Sequence, residues 1–405
     1  MSGPLKDKRV LLGVSGSIAA YKAVDLASKL TQAGAQVDIL LTYSATQFVT
    51  PLTFRSITHR AVVTDLFDVH SPEAIEHVAL AKAADLLVVA PATAHMIAKL
   101  ALGLADDPIS VTALATEAPL IIAPAMDANM WQHPAVRANV EKLESRGATI
   151  IGPERGRLAS GLMGWGRLAE IPELMGRIAQ TLGISGPLAG RTIVVTAGGT
   201  EEPIDPVRVV TNRSSGKMGY AIAEAARDRG AHVVLVSAPT ALDAPPGTET
   251  VHVDTAEEMG HAVMEACRTA DALVMAAAVA DFAPASPRDD KIKKEDASSL
   301  TIDMVKTRDI LSEAPREIVR VGFAAESQHL IENAQAKLNA KELDLVVAND
   351  ITLPDAGFGA DTNKVTLLDA DGVTDLPLMS KYDVAEAILD RVATLFAAKG
   401  ARALS

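Results

Sequence analysis

Two tandem α/β domains, each a parallel sheet with helices on its faces, are what this sequence predicts. Three observations carry the prediction. Near-continuous Val/Leu/Ile runs recur along the chain, as strands buried on both faces require. A strand–turn–helix–strand pattern opens each half. A Gly/Pro-rich seam, "LGISGPLAGR" at 182–191, separates the halves and divides the chain into residues 1–183 and 184–405. At 405 residues the chain exceeds one ordinary core, so two domains are the natural division.

In the first half "RVLLGVS" reads as a strand. "IAAYKAVDLASKLTQAGA" has helical spacing with Gly34 as its stop, and "QVDILLT" is the next strand. "ADLLVVAPA", "LIIAPAM" and "ATIIGP" follow as strands. In the second half "RTIVVTAGG", the helix "GKMGYAIAEAARDRGA" closed by Gly230, and "HVVLVSA" repeat the opening. "DALVMAAAV", "RVGFAAE" and "LDLVVAND" continue the sheet. "KVTLLDADGVTDLPL" reads as a hairpin turning at Asp371-Gly372, before the helix "SKYDVAEAILDRVATLFAAK". Alternating strands and helices place both halves in the α/β class.

Apolar residues make up 48% and aromatics only 3%, so aliphatic side chains must fill the cores. Lys plus Arg total 38 against 51 Asp plus Glu, a net charge of −13 that repels nucleic acid and anionic membrane. Any bound anion needs a local basic patch. The single cysteine, Cys267, allows no internal disulfide, and its apolar setting reads as inert core. "MSGPLKDKRV" lacks a signal-peptide pattern, and no apolar run reaches membrane-spanning length. The expectation is a soluble cytoplasmic protein.

Ligands of such sheets bind beyond the carboxyl ends of the strands. "GVSGS", Gly13 to Ser17, does not match G-x-G-x-x-G, and no acidic residue follows the second strand. Ser15 and Ser17 beside two glycines at a helix start suit a phosphate monoester such as that of a mononucleotide; a plain βα turn is the other reading. Proline and small residues in "PATAH" and "PAMDANMWQHP" leave room for a flat ring. His77 is surface or core filler, or a base. "GRLASGLMGWGR", 156–167, is glycine-rich enough to be an idle loop or a flap carrying Ser160.

In the second half "TNRSSGKMG" fails as a P-loop: Thr211 replaces the first glycine and Met218 the Ser/Thr. It still opens a helix with N–H groups that could meet an anion. Asp281 ends "AAAVAD". Lys291, Lys293 and Lys294 in "KIKKED" are a solvated loop or a triphosphate contact, and Lys337 and Lys341 share a helix face.

Together these stretches resemble the bacterial bifunctional phosphopantothenoylcysteine decarboxylase / phosphopantothenate–cysteine ligase family. The second half carries "TAGGTEEPIDPVRVVTNRSSGKMG", "AAAVADF", "KIKK", "GFAAE" and "LVVAND" in order; the first carries "GVSGSIAAYK", "APATA" and "APAM…MW". The resemblance implies two Rossmann-like or flavodoxin-like domains, the first of the homo-oligomeric flavin-containing cysteine decarboxylase type. It implies an N-terminal site holding FMN through Gly13, Ser15, Gly16, Ser17, Thr42, Ala92, Thr93 and Met126. There the cysteine thiol is oxidised to a thioaldehyde, CO₂ leaves, and reduction gives 4′-phosphopantetheine. His77, Asp127 and Ser160 take the catalytic positions. The family usually has asparagine and cysteine where this chain has Asp127 and Ser160. A serine hydroxyl is a far weaker acid than a thiol, whose pKa is about 8.5. A carboxylate facing the substrate carboxylate repels it unless one is protonated or a cation intervenes. The reading adopted from sequence is that a protonated Asp127 supplies the acid and Ser160 positions.

For the second half the resemblance implies CTP and Mg²⁺, an acyl-cytidylate of 4′-phosphopantothenate, and displacement of CMP by cysteine. Asn212 would hold the acyl intermediate, and Ala276, Ala277, Ala278 and Asp281 the cytosine or ribose. Lys291 would support the triphosphate. Arg308, Asp309, Ile310 and Leu311 lie beside the site, and Phe323, Lys337 and Lys341 complete it. The implied assembly is flavoprotein trimers joined through ligase dimers. Rival readings are an NAD(P)H-dependent FMN oxidoreductase, a first half that binds FMN without turnover, and a flavin-bound regulatory module.

Overall fold

The computed structural model describes residues 3–66, 76–293, 299–326, 329–350, 357 and 359–403. It divides into two units, Met1–Leu182 and Gly183–Ser405.

The first unit runs β1 (Arg9–Val14), α1 (Ala20–Gln32), β2 (Gln36–Leu41), α2 (Pro51–Thr58), β3 (Val62–Val63), α3 (Glu76–Ala83), β4 (Leu86–Ala92) and α4 (Ala94–Leu102). It continues with α5 (Pro108–Ala115), β5 (Leu120–Pro124), α6 (Ala128–Gln132), α7 (Pro134–Glu144), β6 (Thr149–Ile150), β7 (Glu154–Arg157), β8 (Met163–Arg167) and α8 (Ile171–Gly183). The parallel sheet is ordered β3-β2-β1-β4-β5-β6. All seven residues of β4 are buried. Its two faces feed separate cores. Leu12, Val14, Ile39, Val88 and Phe54 pack on one side, and Leu11, Leu40, Leu87, Val89 and Ile97 on the other.

The second unit begins with β9 (Thr192–Ala197), β10 (Glu201–Asp205), β11 (Arg208–Thr211), α9 (Lys217–Asp228), β12 (His232–Ser237), β13 (Glu249–His252) and α10 (Ala256–Ala266). Then come β14 (Ala272–Met275), β15 (Phe282–Pro284), β16 (Met304–Lys306), α11 (Ile310–Glu313), β17 (Val319–Glu326), α12 (Leu330–Ala340) and β18 (Leu345–Asp350). It ends with β19 (Thr362–Asn363), β20 (Val365–Asp369), β21 (Gly372–Asp375), β22 (Met379–Ser380) and α13 (Lys381–Ala403). The sheet order is β13-β12-β9-β14-β17-β18-β20-β21; β20 and β21 form the expected antiparallel hairpin, but it turns at Ala370-Asp371, one residue earlier than expected, because Gly372 pairs with Asp369 as the first residue of β21.

Read from its first strand, each parallel sheet has the order 3-2-1-4-5-6. The chain therefore departs to opposite sides after the first and fourth strands, leaving a crevice at their carboxyl ends. That switch point lies between β1 and β4 in one unit, and between β9 and β14 in the other.

Segment 156–167 differs from the loop its glycines suggest. β7 and β8 pair antiparallel, with Arg157 opposite Met163, leaving only the tip unpaired. Two glycines let this hairpin lie against the start of α6. A Cβ on Gly164 would fall 2.7 Å from the Ala128 Cβ, and one on Gly166 2.1 Å from the Met126 carbonyl. The Met126 N–H donates to the Gly166 carbonyl at 3.0 Å. Cys267 is buried, and burial pushes its thiol up to about 11, so it is a poor nucleophile at neutral pH. No helix among the described residues is long and apolar enough to cross a membrane.

Candidate functional site

At the first switch point lies a cleft of about 520 Å³. The β1–α1 turn supplies Gly16, Ser17, Ile18 and Ala19; Thr93 and Ala94 open α4; Ala125 and Met126 follow β5; the hairpin covers one side. The starts of α1 and α4 thus converge on one space, the setting in which N–H groups meet an anion. Ile18, Met126, Met130 and Leu158 give it an apolar lining.

Asp127 caps α6, accepting the Asn129 N–H at 3.0 Å. From the hairpin tip, the Ser160 hydroxyl donates to the other Asp127 oxygen at 2.7 Å. The Ser160 hydroxyl, then the Asn129 N–H, hold the Asp127 carboxyl below the usual carboxylate range. Glu170, three residues after β8, answers two cations that line the cleft, Lys22 at 3.0 Å and Arg167 at 2.6 Å. On the outer side, Trp131 and Trp165 line a shallow groove with Arg137, whose guanidinium stands 4.7 Å from the Trp131 ring centre.

The second unit holds a larger cleft, about 730 Å³, at its own switch point. Seven cationic residues line it (Arg213, Lys217, Lys306, Arg308, Lys337, Lys341 and Lys381) against two carboxylates, Asp281 and Asp309. In a chain of net charge −13 this is the local basic patch an anion requires. Lys341 pairs with Asp309 at 2.8 Å, and the Lys337 ammonium donates to the Phe323 carbonyl at 2.6 Å. Burial would raise the Asp309 carboxyl, but Lys341 and Ser312 outweigh it and hold it low. Arg308 lies between Glu257 and Glu313. Lys217, in the first turn of α9, donates to the Gly359 carbonyl at 2.9 Å and to Asp361 at 2.6 Å. Lys381 is buried, and burial with the charge of Lys217 pulls its ammonium below the ordinary value. The Asn212 amide donates to the Val279 carbonyl at 3.0 Å, joining the segment after β11 to the segment after β14.

Residues 1–183 match the Flavoprotein family, and residues 188–396 match the family described as DNA/pantothenate metabolism flavoprotein C-terminal domain. The coenzyme A biosynthesis bifunctional protein CoaBC of Bacillus subtilis (strain 168) is 48% identical over 406 residues, covering 98% of this chain and 100% of its own. The chain belongs to the CoaBC family of coenzyme A biosynthesis bifunctional proteins. The Escherichia coli (strain K12) member is 41% identical over 405 residues, covering 98% and 100%. A crystal structure of a CoaBC C-terminal domain aligns at 40% identity with a TM-score of 0.45, covering 52% of this chain and 98% of that one.

Against the positions expected of a CoaBC family member, the first cleft gathers Gly16, Ser17, Thr93, Met126, Asp127 and Ser160. Gly13, Ser15, Thr42 and Ala92 stand off it. Ser15 is buried, its hydroxyl donating to the Pro91 carbonyl at 2.8 Å and accepting the Thr93 N–H at 3.0 Å, so it braces the two strand ends. Thr42 accepts the Ala45 N–H at 3.2 Å. Gly13 and Ala92 are buried strand positions. His77 falls in the first turn of α3, and its side chain lies outside the described residues. Of the catalytic pair expected from sequence, Ser160 donates to Asp127, and that hydroxyl with the Asn129 N–H holds the Asp127 carboxyl low.

The second cleft gathers Asn212, Ala276, Ala277, Ala278 and Asp281, and from the far wall Arg308, Asp309, Ile310, Leu311, Phe323, Lys337 and Lys341. Ile310 and Leu311 turn their side chains into the core. The N–H groups of Ala277 and Ala278 are already committed, to the Thr196 hydroxyl at 3.1 Å and the Gly198 carbonyl at 2.8 Å. Lys291 is exposed and stands outside the lining; Lys294 lies outside the described residues. The sequence reading missed Lys306 and Lys381 and, as named contacts, Arg213 and Lys217. "SSGKMG" was the available signal for Lys217. Lys381 had none, since it meets the cleft only through long-range folding.

Proposed function

We propose that the chain ligates cysteine to 4′-phosphopantothenate with CTP in the second unit. The first unit then decarboxylates 4′-phosphopantothenoylcysteine to 4′-phosphopantetheine with FMN. The observation that carries the reading is the pair of switch-point clefts, one apolar beneath two helix starts and one lined by seven cations. Membership of a family named for bifunctional coenzyme A biosynthesis supports it.

In the ligase cleft Lys217, Lys337, Lys341 and Lys381 neutralise the triphosphate, and Asp281 faces the ribose or cytosine. With the Ala277 and Ala278 N–H groups committed, carbonyls at the end of β14 are left to read the base's donors. Asp281 or Asp309 would help hold Mg²⁺, which commonly uses one or two carboxylates and would supply charge neutralisation for the phosphates. The substrate carboxylate attacks the α-phosphorus and pyrophosphate leaves. The amine of cysteine then attacks the acyl carbon and CMP leaves, while Asn212 holds the acyl-cytidylate.

The first cleft fits FMN: a flat apolar space bounded by two helix starts, with Gly16 so close to Ser44 that a Cβ would lie 2.4 Å from it. Gly16, Ser17, Thr93 and Met126 would hold it. Bound flavin supplies the two-electron exchange at the thiol-bearing carbon that loosens the neighbouring carboxylate. The Ser160–Asp127 bond keeps the hairpin over the cleft and water out. Ser160→Ala is therefore expected to slow CO₂ release about 3- to 10-fold, the effect of losing one exposed charge-assisted hydrogen bond. Asp127→Asn, which keeps an acceptor, should slow it less; a larger loss would restore an acid role for Asp127.

The deciding experiment supplies phosphopantothenate, cysteine, CTP and Mg²⁺ and weighs the product. The expected product is phosphopantothenoylcysteine less CO₂, from a yellow protein. Accumulated phosphopantothenoylcysteine would remove the decarboxylase reading, and intact CTP the ligase reading.

A further inference from the structure

The charges of the first cleft do not balance locally. Three cationic residues line it: Lys22, Arg157 and Arg167. Lys22 and Arg167 both end on Glu170, at 3.0 and 2.6 Å. Arg157, the last residue of β7, is exposed, and its side chain has no hydrogen bond or ion pair among the described residues. Asp127, the carboxylate that lines the cleft, is held by a hydroxyl and a backbone N–H and pairs with no cation among the described residues. An unpaired guanidinium and a carboxylate thus border the same space, Arg157 standing three residues before Ser160, the hairpin residue that donates to Asp127.

We propose that Arg157 is the substrate-carboxylate anchor of the decarboxylase cleft, the cation that lets a carboxylate substrate settle beside a fixed aspartate. The inference rests on the decarboxylase reading above. A substrate whose reacting end is a carboxylate must bring that charge close to Asp127–Ser160. Two carboxylates at contact repel, and each would be driven toward protonation. A planar guanidinium presents two N–H groups that match the two oxygens of a carboxylate. Lys22 and Arg167 are already answered by Glu170, so Arg157 is the guanidinium left for the incoming anion. Its place on the hairpin ties recognition to closure. Seating the carboxylate draws β7 inward, while Ser160 holds the tip to Asp127. The substrate's phosphate is the other anion that could take this arginine, and the product separates the two, because it keeps the phosphate and lacks the carboxylate.

The test uses the full chain with bound flavin. Arg157→Gln is expected to raise KM for phosphopantothenoylcysteine about 10- to 100-fold, the range of a charge-assisted pair. Inhibition by 4′-phosphopantetheine should change by less than about twofold, and Arg157→Lys should restore part of the affinity. In an Asp127→Asn background, where the repelling charge is gone, the same Arg157→Gln change should cost several-fold less. Parallel loss of product binding would show that the guanidinium grips the phosphate and would overturn the proposal; so would an unchanged KM. A wild-type chain that releases no CO₂ overturns the decarboxylase reading and this inference together, whereas an active wild type with an indifferent Arg157→Gln overturns this inference alone.

Discussion

Asp205→Ala is expected to lower ligase turnover about 100-fold, the order of loss that accompanies a misplacement of about 1 Å near the chemistry. Asp205 ends β10 with its side chain fully enclosed. One oxygen takes the Val207 and Arg208 N–H groups, at 2.8 and 2.9 Å; the other takes the Ile292 N–H at 3.1 Å and the Arg208 guanidinium. Arg208 also donates to the Ile292 carbonyl at 3.2 Å, and the Arg288 N–H donates to the Ile204 carbonyl at 3.0 Å. One carboxylate therefore ties the β10–β11 turn to the segment bearing Lys291. On the proposed reading this gives Lys291, which lies outside the cleft lining, a place in the reaction as an anchored neighbour of the cleft. If so, Lys291→Ala in the Asp205→Ala chain should add little to the single loss, measured as pyrophosphate release, because the two residues act as one unit. Full additivity would separate them. Burial alone would raise the Asp205 carboxyl, but the N–H donors of Val207, Ile292 and Arg208 and the Arg208 charge outweigh it. A depressed folded pKa gives stability that is present above the ordinary aspartate value, about 3.9, and lost as pH falls through the lower folded value. The tie should thus survive mild acid.

Arg227→Ala should destabilise the second unit by about 3–5 kcal/mol, the cost of stranding one member of a buried ion pair. Arg227 is 1% exposed, the largest fully buried side chain of the described residues. It donates to Asp228 at 2.5 and 2.8 Å and to the Pro246 carbonyl at 2.7 Å. Tyr382, from α13, donates to the other Asp228 oxygen at 2.8 Å, so the pair sits where α9 and α13 pack. For a domain of this size the loss corresponds to about 10 °C in Tm by calorimetry. Burial pushes the Asp228 carboxyl up to about 6 despite the Arg227 charge. An acid whose folded pKa is raised carries its full unfavourable contribution above that pKa and sheds it as pH falls toward the unfolded value, about 3.9. Removing Arg227 raises the folded pKa further, so the variant's deficit should be smaller at pH 5 than at pH 8. An equal deficit at both would mean that lost packing, not charge, sets the cost.

The sheets were legible because their strands are almost purely aliphatic, from "RVLLGV" to "LVVAND", and because buried parallel strands leave few other places for such runs. Both switch points followed, since the glycine- and alanine-rich strand ends mark them. The 154–167 hairpin was illegible: its strands are rich in glycine and arginine, and its pairing is fixed by close approach to Ala128 and Met126 rather than by its own pattern. Commitment of polar groups was also hidden. Ser15 looked available until Pro91, 76 residues on, took its proton. Lys381 and Arg157 escaped notice because a charge becomes informative only when the identity of its neighbours is known.

The groove beside the hairpin gives the chain a built-in optical probe. Its only two tryptophans, Trp131 and Trp165, stand there on the two packed elements, one on α6 and one on β8. Tryptophan emission, excited beyond the absorption of tyrosines such as Tyr220 and Tyr382, therefore reports the first unit alone. On the proposed reading, quenching of that emission by bound flavin can be followed in real time without interference from the ligase half.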